Sequence, residues 1–356
     1  MNIILEQHTP KKYSTNILAL DVGGTITQVG VIGIIEQKNE QELLYSTEVW
    51  SEKIQISNFV VELVEHVETN LSIKISTVAI AVAATLNSER NFVNSIRNKI
   101  KINSKELEKK IRKRVFLLND FEALGYSINI LDKNNLKTII KGTEIKHAPK
   151  ILIGAGTGLG KSILFFDKKT KLYIPLPSEG CDADYSCQDN IEQELCKFIT
   201  KGARRLRQEE VVSGRGLQTI YQFLTEHKKY TQDLKQNKFY EEIKKSKYDS
   251  VLITKYKNKD PISRKTYRLF STFYARLIKN FALETLSSGG IYLAGGIAIR
   301  NPEILGKEFK DEIKKLSKSQ KFIKQYPIHL ITDKKISLIG AAIYAQTELQ
   351  QTRNEK

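Results

Sequence analysis

The chain has 356 residues, 40% hydrophobic and 27% charged, which implies about two globular domains and excludes a disordered chain. Three cysteines (Cys181, Cys187, Cys196) are too few and too clustered for a disulfide framework, so a reduced, cytoplasmic setting is expected. The net charge of +17 comes from lysines scattered along the chain and densest over 228–258, which read as solvated helix faces, so no nucleic-acid partner is expected. Met1–Leu5, ended by Glu6, Gln7 and His8, is too short for a signal-peptide core. No apolar run approaches the ~18 residues of a membrane span. Cys181 and Cys187 have no His or further Cys at ligand spacing, so no zinc site is expected.

In chain order, Ile17–Leu20, Val29–Ile35 and Leu43–Trp50 read as three successive strands. Ile56–Glu68 has apolar residues at helical spacing. Val78–Val82 is a buried strand, Lys105–Lys113 a charged helix, Val115–Leu118 a strand, and a helix begins within Asn119–Ile128. Lys133–His147 is polar and reads as a crossover. The second half repeats the theme. Strands are expected at Lys150–Ile153, Ser162–Phe166 and Leu172–Ile174, and helices at Ile191–Thr200 and Gly216–Thr225. A lysine-rich, insertion-like stretch covers 227–258, and Ser263–Leu286 is one long amphipathic helix. Strand Ile291–Ala294, helix Pro302–Lys315, strand Ile328–Ile331 and helix Leu338–Leu349 close the chain. Each half runs strand, strand, strand, helix, strand, helix, which points to a duplicated α/β unit.

Two glycine turns punctuate this pattern. Asp21-Val22-Gly23-Gly24-Thr25 and Gly154-Ala155-Gly156-Thr157-Gly158-Leu159-Gly160 each end one strand and open another. Such hairpin tips expose backbone N–H groups that can approach a phosphate closely. Two of them suggest a nucleotide's phosphates held between two lobes. Asp21 ends a buried strand, where a carboxylate needs a cation or donors, and Mg²⁺ bound through water is the natural partner; Asp also suits a plain turn. The segment Ala155–Ser162 is close to the P-loop pattern GxxxxGK[ST]. A P-loop must lead into a helix, whereas Ser162–Asp167 is β-branched and aromatic and is expected to be a strand.

Asn119 and Asp120 stand where a buried strand gives way to a helix. Asp120 could take a hydroxyl proton as the oxygen attacks phosphorus, with Asn119 holding a neighbouring hydroxyl; either would also make a good helix N-cap. Glu179, Asp182 and Asp184 crowd one loop, where sugar hydroxyls would be suitable donors and solvent an equal alternative. Glu209–Gly216 precedes a helix, with Ser213 placed as its cap.

Taken in order, these residues resemble the bacterial-type glucokinases, hexose kinases of the actin-like ATPase superfamily. Asp21–Thr25 resembles the family's DxGGT, Leu118–Phe121 its L-I-N-D-F, and Ile153–Gly160 its G-x-G-T-G-L-G turn. Leu176–Tyr185 resembles L-P-x-E-G-G-H-x-D-F, and Glu209–Gly216 resembles E-x-V-x-S-G-x-G. Ile291–Ile297 with Arg300 resembles the adenosine-contact turn, and Leu338–Ala342 the closing helix. The resemblance implies a two-lobed, ribonuclease H-like α/β fold with duplicated mixed five-stranded sheets and an active site in the interdomain cleft. Residues 1–132 with 335–356 would form the small lobe, and 133–334 the large one. It implies ATP and Mg²⁺ as cofactors, Asp120 as base, and sugar contacts from Asn119, Glu179 and Glu209, with Asn94 and Asp182 as further candidates. Gly23, Gly24, Thr25, Gly156, Thr157 and Gly158 would hold phosphates, Gly295 and Gly296 the adenosine, and Asp21 the metal. It also allows a homodimer.

The departures are specific. Asp182 stands where the family has His, and Cys181 where it has Gly; His donates and accepts, whereas ionised Asp only accepts. Ile26 replaces the Asn after DxGGT, and Ala83-Ala84-Thr85 replaces the family's G-P or C-P. The zinc motif of the related repressor-kinase group is absent. Glucose is the expected substrate. A kinase of another sugar on this fold, or a sugar- or nucleotide-binding regulator without turnover, remain the alternatives.

Overall fold

The computed structural model describes residues 4–5, 13–35, 40–95, 100–202, 204–230 and 238–354. Most of the Met1–His8 segment and residues 231–237 of the lysine-rich stretch lie outside them. The chain divides into two compact units. One comprises Met1–Asp132, Asp167–Pro177 and Asp333–Lys356, the other Lys133–Phe166 and Ser178–Thr332.

In the first unit, strands Ile4–Leu5, Glu40–Trp50, Ile26–Ile35, Thr15–Val22, Thr77–Val82 and Arg114–Asn119 lie side by side in that order. The first four are antiparallel neighbours, and Thr15–Val22, Thr77–Val82 and Arg114–Asn119 run parallel. Thr77–Val82 is buried throughout, as a strand covered on both faces must be; Val78–Val82 is one continuous apolar run, and the Thr77 hydroxyl is satisfied by the Arg114 carbonyl. Alternation then sorts the side chains. Leu18, Leu20, Val78 and Ile80 meet Phe59, Leu63 and Val67 of helix Ile56–Asn70. The small Ala19, Ala79 and Ala81 face Leu338, Ala341 and Ala345 of helix Ile336–Asn354. That helix also packs on helix Asp120–Ser127.

The Asp167–Pro177 segment, expected in the large lobe, belongs instead to the first unit. Its strand Leu172–Leu176 packs on helix Asp120–Ser127. Asn129 fastens it, accepting the Tyr173 N–H at 2.7 Å and donating to the Tyr173 carbonyl at 3.0 Å.

Within the second unit, strands Leu159–Asp167, Lys150–Ala155, Ile291–Ala294, Ile328–Ile331 and Leu136–Ile140 follow one another across the sheet. The central pairs are parallel and the outer ones antiparallel. Helix Pro261–Thr285 buries Phe270, Phe273 and Tyr274 against Tyr221, Phe223 and Phe309. Its start is set by Asp260, whose carboxylate accepts from the Ile262 and Ser263 N–H groups.

The first unit's sheet carries one strand more than the expected five, Ile4–Leu5, and the second unit includes a strand that the sequence reading did not give, Leu136–Ile140. Leu136–Ile140 is an edge strand with exposed Lys137 and Thr138, so its polar sequence reads as a connection. A hairpin of Phe92–Ser95 and Ile100–Asn103, and short helices Tyr240–Lys245 and Ser250–Tyr256 in the lysine-rich stretch, are likewise additions to the sequence reading. The expected helix Pro302–Lys315 is broken at Gly306 into a 3₁₀ turn and helix Lys307–Lys314. No helix among the described residues is long and apolar enough to cross a membrane.

Candidate active site

In the first unit the candidate residues gather at the carboxyl ends of three parallel strands. Val22, Val82 and Asn119 are in register across the sheet, so the turn after Asp21, the Ala83–Thr85 segment and Asp120 leave it at one edge. Ligands bind at this edge in open α/β sheets. The Gly23–Ile26 turn is closed by the Gly23 N–H donating to the Ile26 carbonyl at 3.1 Å. Gly24 and Thr25 are exposed at its tip. Ser51 braces it from behind: its hydroxyl donates to the Gly23 carbonyl at 2.7 Å and its N–H to the Thr25 carbonyl at 2.9 Å. Beside this turn lies a cavity of about 420 Å³ whose lining includes Ile26, Val49, Trp50 and Lys335.

Asp21 is held by the Ser337 hydroxyl, which donates to Oδ2 at 2.6 Å. Burial raises its pKa, and the Ser337 bond opposes that rise. Among the described residues no cation pairs with it. Asn119 is the N-cap of helix Asp120–Ser127, its Oδ1 accepting the Phe121 N–H at 2.8 Å. Its Nδ2 points to the Ala84 carbonyl at 3.4 Å. Glu122 completes a capping box on the Asn119 N–H and is paired with Arg90 at 2.8 Å. Asp120 is therefore the first residue of a braced helix, half-buried, with Oδ1 accepting the Phe121 N–H at 2.9 Å. A negative charge is favoured at that helix end. Asn94 is on the separate two-stranded sheet of Phe92–Ser95 and Ile100–Asn103, exposed and opposite Lys101.

In the second unit Lys150–Ala155 and Leu159–Asp167 form an antiparallel hairpin with Gly156–Gly158 at its tip. The chain enters a strand after this turn, so no P-loop helix exists. Lys161 is buried, with Nζ 4.3 Å from the Phe281 ring centroid and 3.3 Å from Gln208 Oε1. Burial lowers its pKa. Helix Gly214–Glu226, capped by Ser213, starts against the tip, and the Gly214 N–H donates to the Gly156 carbonyl at 2.8 Å. The Gly295–Gly296 turn ends Ile291–Ala294, the strand parallel to Lys150–Ala155.

The loop bearing Glu179 and Asp182 is zipped to the chain before Glu209. The Gln208 N–H donates to the Ala183 carbonyl at 2.9 Å, the Tyr185 N–H to the Leu206 carbonyl at 2.7 Å, and Asp184 bridges Arg207. Glu209, buried, accepts the Leu159 N–H through Oε2 at 3.1 Å and pairs with Arg215 through Oε1. It thus joins the candidate sugar loop to the candidate phosphate turn. Burial pushes the Cys181 thiol up to about 12, which leaves it protonated at neutral pH.

A family model described as Glucokinase matches residues 18–348. The chain belongs to the glucokinase family. It is 30% identical to the glucokinase of Nostoc sp. (strain PCC 7120) over 349 residues, covering 93% of this chain and 99% of the relative. Among solved structures, glucokinase from an Antarctic psychrotroph superimposes with a TM-score of 0.75 at 22% identity, covering 93% of this chain and 99% of that one. Glucokinase from Balamuthia mandrillaris in complex with glucose gives 0.71 at 18% identity, covering 93% of each. The fold is the actin-like ATPase fold of these kinases, and the activity of the family is ATP-dependent phosphorylation of glucose.

Sequence reasoning missed Ser51, Ser337, Arg90, Arg207 and Arg215. Ser337 could have been noticed as a hydroxyl opening the last helix; the arginines carry no positional signal among 57 Lys and Arg residues. The Glu209–Leu159 link makes a prediction. A Cβ at Gly158 would lie 2.6 Å from Glu209 Oε2, so Gly158→Ala must displace either the carboxylate or the turn. Steady-state kinetics with each substrate varied should show kcat/KM reduced for both sugar and nucleotide, by up to about 10²-fold for a misplacement near 1 Å. A loss confined to the nucleotide would mean that Glu209 does not tie the two together.

Proposed function

We propose that this chain phosphorylates glucose on its 6-hydroxyl with ATP, with Asp120 as general base. What carries the reading is the placement of Asp120. Its carboxylate stands at the start of a capped helix, at the same edge of the parallel strands as the Asp21 turn. In the reaction the Asp120 carboxylate takes the hydroxyl proton, the sugar oxygen bonds to the γ-phosphorus, and the bond to the β-phosphate oxygen breaks to release ADP. Asn119 uses its carbonyl as the helix cap, so Nδ2 is the group it offers to a sugar oxygen. Glu179, Asp182 and Glu209 contact further hydroxyls, with Asn94 a candidate at the hairpin. Backbone N–H groups of Gly23, Gly24 and Thr25, and of Gly156, Thr157 and Gly158, hold the phosphates, and Gly295 and Gly296 lie under the adenosine.

Asp21 suits Mg²⁺. It is a half-buried carboxylate held by one hydroxyl, with no protein cation paired to it among the described residues. Bound there through water, the ion would neutralise phosphate charge. The three cysteines are free thiols, in keeping with a reducing, cytoplasmic setting.

The test is ADP release from ATP with glucose, mannose, N-acetylglucosamine and fructose, each supplied separately, with the product's phosphate position read by NMR. Glucose should give the highest kcat/KM and a 6-phosphate. Faster turnover of another hexose would reassign the substrate, and sugar binding without ADP release would make the chain a non-catalytic binder.

A further inference from the structure

A hexose hydroxyl both donates and accepts, and the side chains gathered at the second unit's candidate sugar loop are dominated by carboxylates. Glu179, Asp182 and Glu209, when ionised, only accept. A sugar oxygen held there needs a donor as well, and the cations nearby are not equivalent. Arg215 is spent on Glu209, whose side chain is 8% exposed. Lys161 is buried against Gln208 and the Phe281 ring. Arg204 is held by two bonds to Glu210 and one to the Arg205 carbonyl, and Arg205 is 85% exposed. Arg207 differs. Its side chain is 41% exposed, and one guanidinium nitrogen donates to Oδ1 of Asp182, itself 55% exposed, at 2.9 Å. Its Nε lies 3.4 Å from Glu210 Oε2. Its backbone is fixed to the loop by the Asp184–Arg207 bridge and the Gln208 N–H bond to Ala183.

We infer that Arg207 and Asp182 act together as a sugar-specificity pair: Arg207 donates an N–H to one ring hydroxyl oxygen, and Asp182 accepts that hydroxyl's proton. This rests on the kinase reading and deepens it, because Asp182 alone lacks the donor that a histidine at its position would supply. The backbone pairing places Arg207, and its bonds to Asp182 and Glu210 hold the fork before sugar arrives, so less side-chain freedom is lost on binding. The pair reads one hydroxyl as donor and acceptor at once. A sugar lacking that hydroxyl forgoes two charge-assisted bonds, while Arg207 and Asp182 keep only their bond to each other.

The experiment measures KM and kcat for glucose and for the 1-, 2-, 3- and 4-deoxyglucoses with the wild type, Arg207→Ala, Arg207→Lys and Asp182→Asn. Glucose binding by calorimetry without nucleotide is measured alongside. The wild type should reject one deoxy sugar by at least tenfold. Arg207→Ala should raise the glucose KM about 10–100-fold, the range of a charge-assisted bond, and abolish discrimination at that one hydroxyl. KM for ATP should stay within about twofold. Arg207→Lys should restore part of the affinity, and Asp182→Asn should weaken glucose binding by less than Arg207→Ala. Unchanged glucose affinity in Arg207→Ala, or discrimination persisting at every hydroxyl, overturns the inference while leaving the kinase reading intact. Calorimetry separates the two: a wild type that binds glucose but releases no ADP sinks the kinase reading, and the Arg207 effect on binding still decides the pair.

Discussion

Asp120→Asn should lower kcat by about 10³–10⁴-fold, the upper range for loss of a general base, while nucleotide affinity stays within about twofold of the wild type. Asn is the informative replacement. It keeps an oxygen that can accept the Phe121 N–H, as Asp120 Oδ1 does at 2.9 Å, so the helix start survives and only the proton acceptor is lost. Asp120→Ala removes both and should be equally inactive. Nucleotide binding has a built-in reporter. Trp50 is the only tryptophan, is 52% exposed, and immediately precedes Ser51, which bonds Gly23 and Thr25 of the first turn. A fluorescence titration with an ATP analogue should therefore give matching curves for wild type and both variants. Turnover of Asp120→Asn within tenfold of the wild type would reduce Asp120 to a capping residue.

The same helix start shows why the site was only partly legible. Asn119 and Asp120 were visible because a buried apolar strand ends in two polar residues, and the glycine turns because they interrupt strand-like runs. The brace behind them was not. Glu122 pairs with Arg90, and Arg90 Nε reaches the Tyr344 hydroxyl at 3.2 Å across 254 residues of sequence. Ser337 reaches Asp21 across 316. No local pattern encodes such contacts; they exist because the sheet brings distant strand and helix ends to one edge. In the second unit the acidic loop was legible as a run of carboxylates in need of partners, but which cations satisfy them depends on the backbone pairing of 183–185 with 206–208. The fold was easier. Thr15–Val22 and Thr77–Val82 are central strands whose buried runs Ile17–Leu20 and Val78–Val82 are wholly apolar, whereas the edge strand Leu136–Ile140 faces solvent and its composition imitates a connection.

Gly340→Ala should be the most damaging single-methyl change in the first unit. Intrinsic helix propensity argues the opposite, since Ala is favoured over Gly in a helix interior by about 1 kcal/mol. Packing decides. A Cβ at Gly340 would fall 1.8 Å from the Ala123 carbonyl oxygen and 2.9 Å from the Ser127 nitrogen. These are backbone atoms of helix Asp120–Ser127 and cannot rotate away. The two helices must separate, and overpacking of this kind costs about 3 kcal/mol, which outweighs the propensity gain. The net cost is about 2 kcal/mol, so scanning calorimetry should show the first unit melting roughly 4–8 °C lower. The two helices also carry the chemistry, since Asp120 opens one and Ser337, bonded to Asp21, stands in the first turn of the other. Parting them shifts base and turn relative to each other, so kcat should fall even at temperatures where the variant is folded. A folded variant with a lowered melting temperature and wild-type kcat would show that the spacing of these helices serves stability alone.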